Sequence, residues 1–147
     1  MLNNNSVRIA SLAALALAGR LWAGGFYLQA VRPTTSEAQL AHAVLTIKAA
    51  GCHDPATAKV VATAIGMVNG QRREIPLKLV PLSEPGSFAL SQQWPTEGRW
   101  VIQLVGHNDG ALTTSVLRAG PDGIDLKSWK GEMREFKAAE IEAMLRD

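Results

Sequence analysis

The segment IKAAGCHDPATAKV, residues 47–60, contains the side chains of this chain that are best suited to bind a metal. Cys52, the only cysteine, is followed directly by His53, and another histidine, His107, comes later in the chain. A thiolate and imidazole nitrogens are preferred ligands of Cu(I) and Zn(II). Cys52, His53 and His107 are therefore a candidate copper or zinc site, which Asp54 and Asp109 could join as ligands or as hydrogen-bond acceptors for the ligands.

The same segment has other interpretations. Covalent haem requires Cys-x-x-Cys-His and a redox dithiol requires two cysteines, so a single cysteine excludes both. Ala49-Ala50-Gly51-Cys52 has the form of a lipid-attachment site, although the apolar run that should precede it ends well before Lys48. The remaining alternative is a plain turn between two strands, set by Asp54-Pro55.

The first thirty residues differ from the rest of the chain. A polar start with one arginine, MLNNNSVR, precedes the apolar run IASLAALALAG, which has the length of a signal-peptide core. We predict that residues 1–30 are a signal peptide or a membrane anchor and that the mature protein is extracytoplasmic; a buried N-terminal helix is the alternative. Candidate cleavage points follow Ala18, Ala30 and Ala43. Residues 31–41 are polar, contain a proline and are predicted to be a linker.

The composition narrows the classes of partner. A chain of 147 residues, 47% hydrophobic and 19% charged, is typical of one globular domain. The net charge is +2 and the basic residues are scattered, so we predict no nucleic-acid partner. The sequence contains no Gly-x-Ser-x-Gly elbow and no phosphate-binding loop, and we predict that the protein is not an enzyme.

Alternating apolar and polar residues predict short strands. Six such runs are separated by turn residues: 42–49, 59–68, 71–80, 87–93, 99–105 and 111–119. Asn69-Gly70, between the second and third runs, is a strong hairpin signal. No connection is long enough for a parallel crossover. The sequence predicts an all-β, immunoglobulin-like antiparallel β-sandwich of about 6–7 strands over residues 42–120.

The C-terminal segment has a different character. In residues 121–147 we predict a turn followed by a short amphipathic helix, because Ala138, Ile141 and Leu145 recur with helical spacing. The helix could dock elsewhere, but packing on the sandwich is the simpler expectation.

Strand directions predict which candidate ligands lie together. If every connection reverses the chain, Cys52, His53 and His107 lie at one end of the sandwich. His42 lies at the other end, because the strand of about seven residues that follows it spans ~23 Å at ~3.3 Å per residue.

One stretch, VPLSEPGSFALSQQWPTEGRWVIQLVG (residues 80–106), combines Pro-Gly-x-Phe with Gly-x-Trp before an apolar strand. It resembles small exported immunoglobulin-like domains of the YtkA and FixH type, over roughly residues 58–106. The resemblance implies a role at the cell envelope, membrane-related or metal-related, with copper the foremost metal. The sequence HAVL, which begins at His42, is similar to the mature start of CopC-type copper-resistance proteins, whose terminal histidine chelates copper. That likeness would require cleavage after Ala41.

Two functions follow from these observations. The first is a non-catalytic, exported immunoglobulin-like module with a binding or structural role at the cell envelope, no cofactor and an envelope protein as its partner. The alternative is an accessory protein that binds copper or zinc through Cys52, His53 and His107.

Overall fold

The structure of this protein is a computed structural model that describes residues 25–51 and 54–147. The described residues form nine strands, two helices and one 3-10 turn at Pro55–Thr57. The elements are β1 Tyr27–Val31, α1 Ser36–Leu40, β2 Ala43–Ala50, β3 Lys59–Val68, β4 Gln71–Leu77, β5 Leu79–Pro81, β6 Ser87–Ser91, β7 Arg99–Asn108, β8 Ala111–Gly120, β9 Gly123–Glu132 and α2 Ala138–Arg146.

The strands form two antiparallel sheets that pack face to face. Sheet A has the order β1-β2-β6-β5 and sheet B has the order β4-β3-β7-β8-β9. The predicted all-β sandwich is confirmed at this level. Trp100, Ile102 and Leu104 alternate along β7 and are fully buried between the sheets, as their period-two spacing predicts. Asn69-Gly70 forms the β3–β4 hairpin, and both residues have positive φ.

Helix α2, the predicted C-terminal helix, packs on the outer face of sheet B. Its residues Ile141, Met144 and Leu145 form a small core with Val101 and Val116 of that sheet. The helix therefore packs on the sandwich, as the simpler of the two expectations had it. Ala138 is exposed, and Met144 lies on the buried face in its place.

The first turn of α2 is fixed by Glu140. Its carboxylate accepts a hydrogen bond from the backbone N–H of Lys137 at 2.7 Å and pairs with Arg134 at 2.8 Å. The hydrogen bond from Arg134, followed by that from the Lys137 backbone, lowers the pKa of Glu140 to about 2. The helix therefore begins with a carboxylate that is charged at neutral pH, where the helix dipole favours one.

The prediction for residues 121–147 is wrong over 123–132, which form β9. The segment Gly-Pro-Asp-Gly, residues 120–123, turns the chain from β8 into this strand. A bulge breaks the two-residue period, because the register shifts between Val116 and Arg118 of β8. Ser128 Oγ accepts from the Arg118 backbone N–H at 2.7 Å there. Leu126 and Trp129 consequently both face the core although they are three positions apart, an odd spacing that would place them on opposite faces of a regular strand.

The predicted N-terminal boundaries are also wrong where the structure describes them. The boundary at residue 30 cuts through β1, and the predicted linker 31–41 contains α1. Thr35 Oγ1 caps this helix by accepting from the Ala38 N–H. In the sequence, the apolar residues Phe26 and Leu28 look like a continuation of the apolar run that precedes them, so they do not mark a separate strand. Residues 1–24, and with them most of the predicted signal peptide or anchor, lie outside the described residues.

A third difference adds one more strand, and together with β1 and β9 it explains why the described chain has nine strands rather than 6–7. The predicted strand 71–80 divides into β4 in sheet B and β5 in sheet A. The Gln93 side chain stabilises the crossing, since it accepts from the Lys78 N–H and donates to the Lys78 carbonyl, both at 2.8 Å. Among the described elements, no helix has the length and apolar character needed to cross a membrane.

Candidate functional site

Of the three predicted metal ligands, the structure describes His107, which lies near the end of β7. His107 pairs with Lys59, the first residue of β3, and its side chain is exposed. Next to it, Asn108 Nδ2 donates to the Asp54 carbonyl at 3.1 Å and to Thr57 Oγ1 at 3.0 Å. These bonds fix Asp54 and Thr57 to the strand that carries His107.

The side-chain positions of Cys52 and His53 lie outside the described residues, so their distance to His107 stays a prediction. His42 stands before β2 and Gly51 follows it, which places His42 at the opposite end. Within residues 25–51 and 54–147, no three His, Asp or Glu side chains converge as metal ligands.

A different candidate site lies at one edge of the sandwich. Of the four sheet edges in the described part of the chain, three are protected in the usual ways. β4 is rich in charge and contains Pro76, β5 has three residues including Pro81, and β9 carries lysines and the bulge. β1, with the sequence YLQAV, has no charged residue and no proline. Its outer edge therefore offers unprotected backbone donors and acceptors.

A cleft of about 490 Å³, which we call the edge cleft, opens beside β1 between the two sheets. Its walls come from the start of β1 and from the β8 and β9 strands that face it. The lining residues are Gly25, Phe26, Tyr27, Leu28, Thr113, Ser115, Trp129, Gly131, Glu132 and Met133.

The edge cleft has an apolar rim and a polar floor. Met133 is 70% exposed, and Tyr27 is also exposed. At the floor, Ser115 Oγ is buried and has no hydrogen-bond partner among the described residues. Gly131 lies next to this hydroxyl, since a Cβ there would be 3.4 Å from Ser115 Oγ. Glu132 carries the only full charge among the described residues that line it.

No protein family, curated protein or solved structure matches this chain. Its function is therefore inferred from the site itself. The resemblances to the YtkA, FixH and CopC types stay predictions.

Sequence reasoning missed the edge cleft. Its two walls, Phe26–Leu28 and Trp129–Met133, are separated by about a hundred residues, and both strands were absent from the predicted sandwich. The available signal was the alternation of Phe26 with Leu28 and the isolated Trp129 in a polar context. The sequence does not show that these two segments lie beside each other, because that depends on the order of the strands in the two sheets.

Proposed function

We propose that this protein is a non-catalytic, exported immunoglobulin-like module that binds an extended segment of a second envelope protein along β1. The observation that carries this proposal is the open, uncharged edge of β1 directly beside the edge cleft, whose rim is apolar. An added strand would satisfy the free backbone groups of β1, and the cleft would take one side chain of that strand.

The chemistry of the edge cleft indicates which side chain. Trp129 and Met133 provide aromatic and sulfur contacts, and the unpartnered Ser115 hydroxyl provides one polar group at depth. A tyrosine or tryptophan combines an aromatic body with a polar tip and fits both features. We infer an uncharged partner segment with one such residue.

Export is supported by the N-terminal charge and apolar run, and β1 restricts where cleavage can occur. Phe26 and Leu28 are buried in the core, so cleavage after Ala30 or Ala43 would remove part of it. Cleavage after Ala18 leaves the described sandwich intact. We therefore propose a mature chain that begins before Gly25.

Peptide selection against the purified chain tests the binding site. We expect displayed peptides to yield an uncharged consensus with one tyrosine or tryptophan. Met133→Lys should weaken the best peptide about tenfold or more, or ~1.4 kcal/mol, because a lysine replaces the apolar rim. Val61→Lys is the matched control, since Val61 is 62% exposed on the outer face of sheet B. Hydrogen exchange should show new protection in β1; equal losses in both variants, or protection confined to other strands, would reject this site.

Metal binding is the second candidate, and the bonds from Asn108 that hold Asp54 and Thr57 beside His107 favour it. If the protein binds metal, we expect elemental analysis of the full-length protein to find about one copper or zinc ion per chain. Cys52→Ser and His107→Ala should each lower the affinity at least about tenfold, as loss of a ligand implies. His42→Ala is the control and should bind normally, because His42 lies at the other end of β2. Metal-free protein that fails to take up either ion would end this hypothesis.

A further inference from the structure

The outer face of sheet A carries a second cleft, independent of the edge cleft and of the function proposed for it. This outer-face cleft measures about 410 Å³, a size suited to a small molecule. It lies between the chain that joins β1 to α1, strand β2 and the segment 82–84. Its polar groups include Arg32, Glu37, Thr46, Lys48 and Glu84.

Thr46 is the unusual residue of the outer-face cleft. It lies opposite Val31 of β1 and Ala89 of β6 and is 5% exposed. Its Oγ1 has no hydrogen-bond partner among the described residues. A buried hydroxyl without a partner destabilises a fold, so a ligand group that bonds to it would recover that loss.

Four charged side chains surround Thr46: Lys48 and Glu84 form an ion pair, whereas Arg32 and Glu37 belong to no ion pair among the described residues. Lys48 Nζ donates to Glu84 at 2.7 Å, and this hydrogen bond, with a weaker contribution from Ser87, lowers the pKa of Glu84. Within the described part of the chain, the Glu37 carboxylate accepts only from the Ser83 N–H and hydroxyl, which are neutral. Among the described residues, no carboxylate pairs with Arg32 and no cation pairs with Glu37.

We propose that the outer-face cleft binds a small zwitterion of amino-acid size. Arg32 holds its carboxylate, Glu37 holds its ammonium group, and the Thr46 hydroxyl bonds to a polar atom between them. A simple anion would be repelled by Glu37 and Glu84, and a simple cation by Arg32 and Lys48. A molecule with both charges complements the two single groups that remain.

Calorimetric titration of the full-length protein with each common L-amino acid tests the proposal. We expect saturable binding of at least one of them, at one site per chain. The N-acetyl and carboxamide derivatives of that amino acid should each bind at least about tenfold more weakly, because each lacks one of the two charges. An N-acetyl derivative that binds as well as the free amino acid would show a plain carboxylate site and overturn the zwitterion.

Two variants separate binding from folding. Thr46→Val preserves the shape of the side chain, so it should raise the melting temperature of the free protein while weakening the ligand about tenfold. Arg32→Gln changes an exposed residue and should weaken the ligand similarly without altering the melting temperature. Arg73→Gln, at another exposed arginine, is the matched control. The proposal fails if no amino acid gives saturable binding, or if Arg32→Gln and Arg73→Gln bind alike.

Discussion

A chain that begins at Val31 is expected to be less stable by about 3–6 kcal/mol than one that begins at Gly19. The shorter chain lacks Phe26 and Leu28, which are 4% and 3% exposed, and burial of each such side chain contributes about 1.5–3 kcal/mol. It also loses the ladder between β1 and β2. Urea unfolding of the two purified chains measures the difference in the free energy of unfolding.

A chain that begins at Gly25 is the matched control for this truncation. It keeps both buried side chains and all of β1, so it should not show the loss of about 3–6 kcal/mol expected for the chain from Val31. Equal stability of the chain from Val31 would contradict the role of β1. The export proposal would then have to accept cleavage after Ala30.

Gly66→Val is expected to destabilise the protein by about 2 kcal/mol or more, within or above the usual range for overpacking. Gly66 in β3 lies directly opposite Trp100 in β7, and a Cβ at this position would overlap the indole ring. The ring cannot move aside easily, because it is fully buried and its Nε1–H donates to the Glu97 carbonyl at 2.9 Å. Thermal or urea unfolding gives the free energy of unfolding of each variant.

Gly120→Ala provides the comparison for Gly66. A Cβ at Gly120 meets no atom within 4 Å, and this residue also belongs to a strand of sheet B. We expect a change within about 0.5 kcal/mol, as for an unstrained surface position. If Gly66→Val is as mild as Gly120→Ala, the close approach of the indole ring to the β3 backbone is wrong.

The parts of the fold that depend on local pattern could be predicted from the sequence. The alternation of Trp100, Ile102 and Leu104 gave the buried face of β7, and Asn69-Gly70 gave the β3–β4 hairpin. The C-terminal helix followed from its spacing of apolar residues. Each of these signals lies within about ten residues, the range over which period and turn chemistry operate.

The parts that depend on contacts distant in sequence could not be predicted. The division of 71–80 into two strands depends on Gln93, and the break in the two-residue period of β9 depends on a bulge in its pairing with β8, next to Val116. The edge cleft requires β1 and β9 to face each other from opposite sheets. The burial of Thr46 depends on segments before β2 and after β5, which are distant from it in sequence or belong to other elements.

The most direct test of the central claim is site-specific photo-crosslinking in intact cells that express the full-length protein. A photoreactive residue replaces Tyr27 at the rim of the edge cleft, and in a matched chain it replaces Val61 on the outer face of sheet B. We predict that Tyr27 crosslinks to an uncharged, extended segment of one envelope protein, that Met133→Lys abolishes this product, and that Val61 does not form it. Crosslinking of both positions to the same protein with equal yield, or of Tyr27 to this chain alone, would contradict the proposed binding along β1.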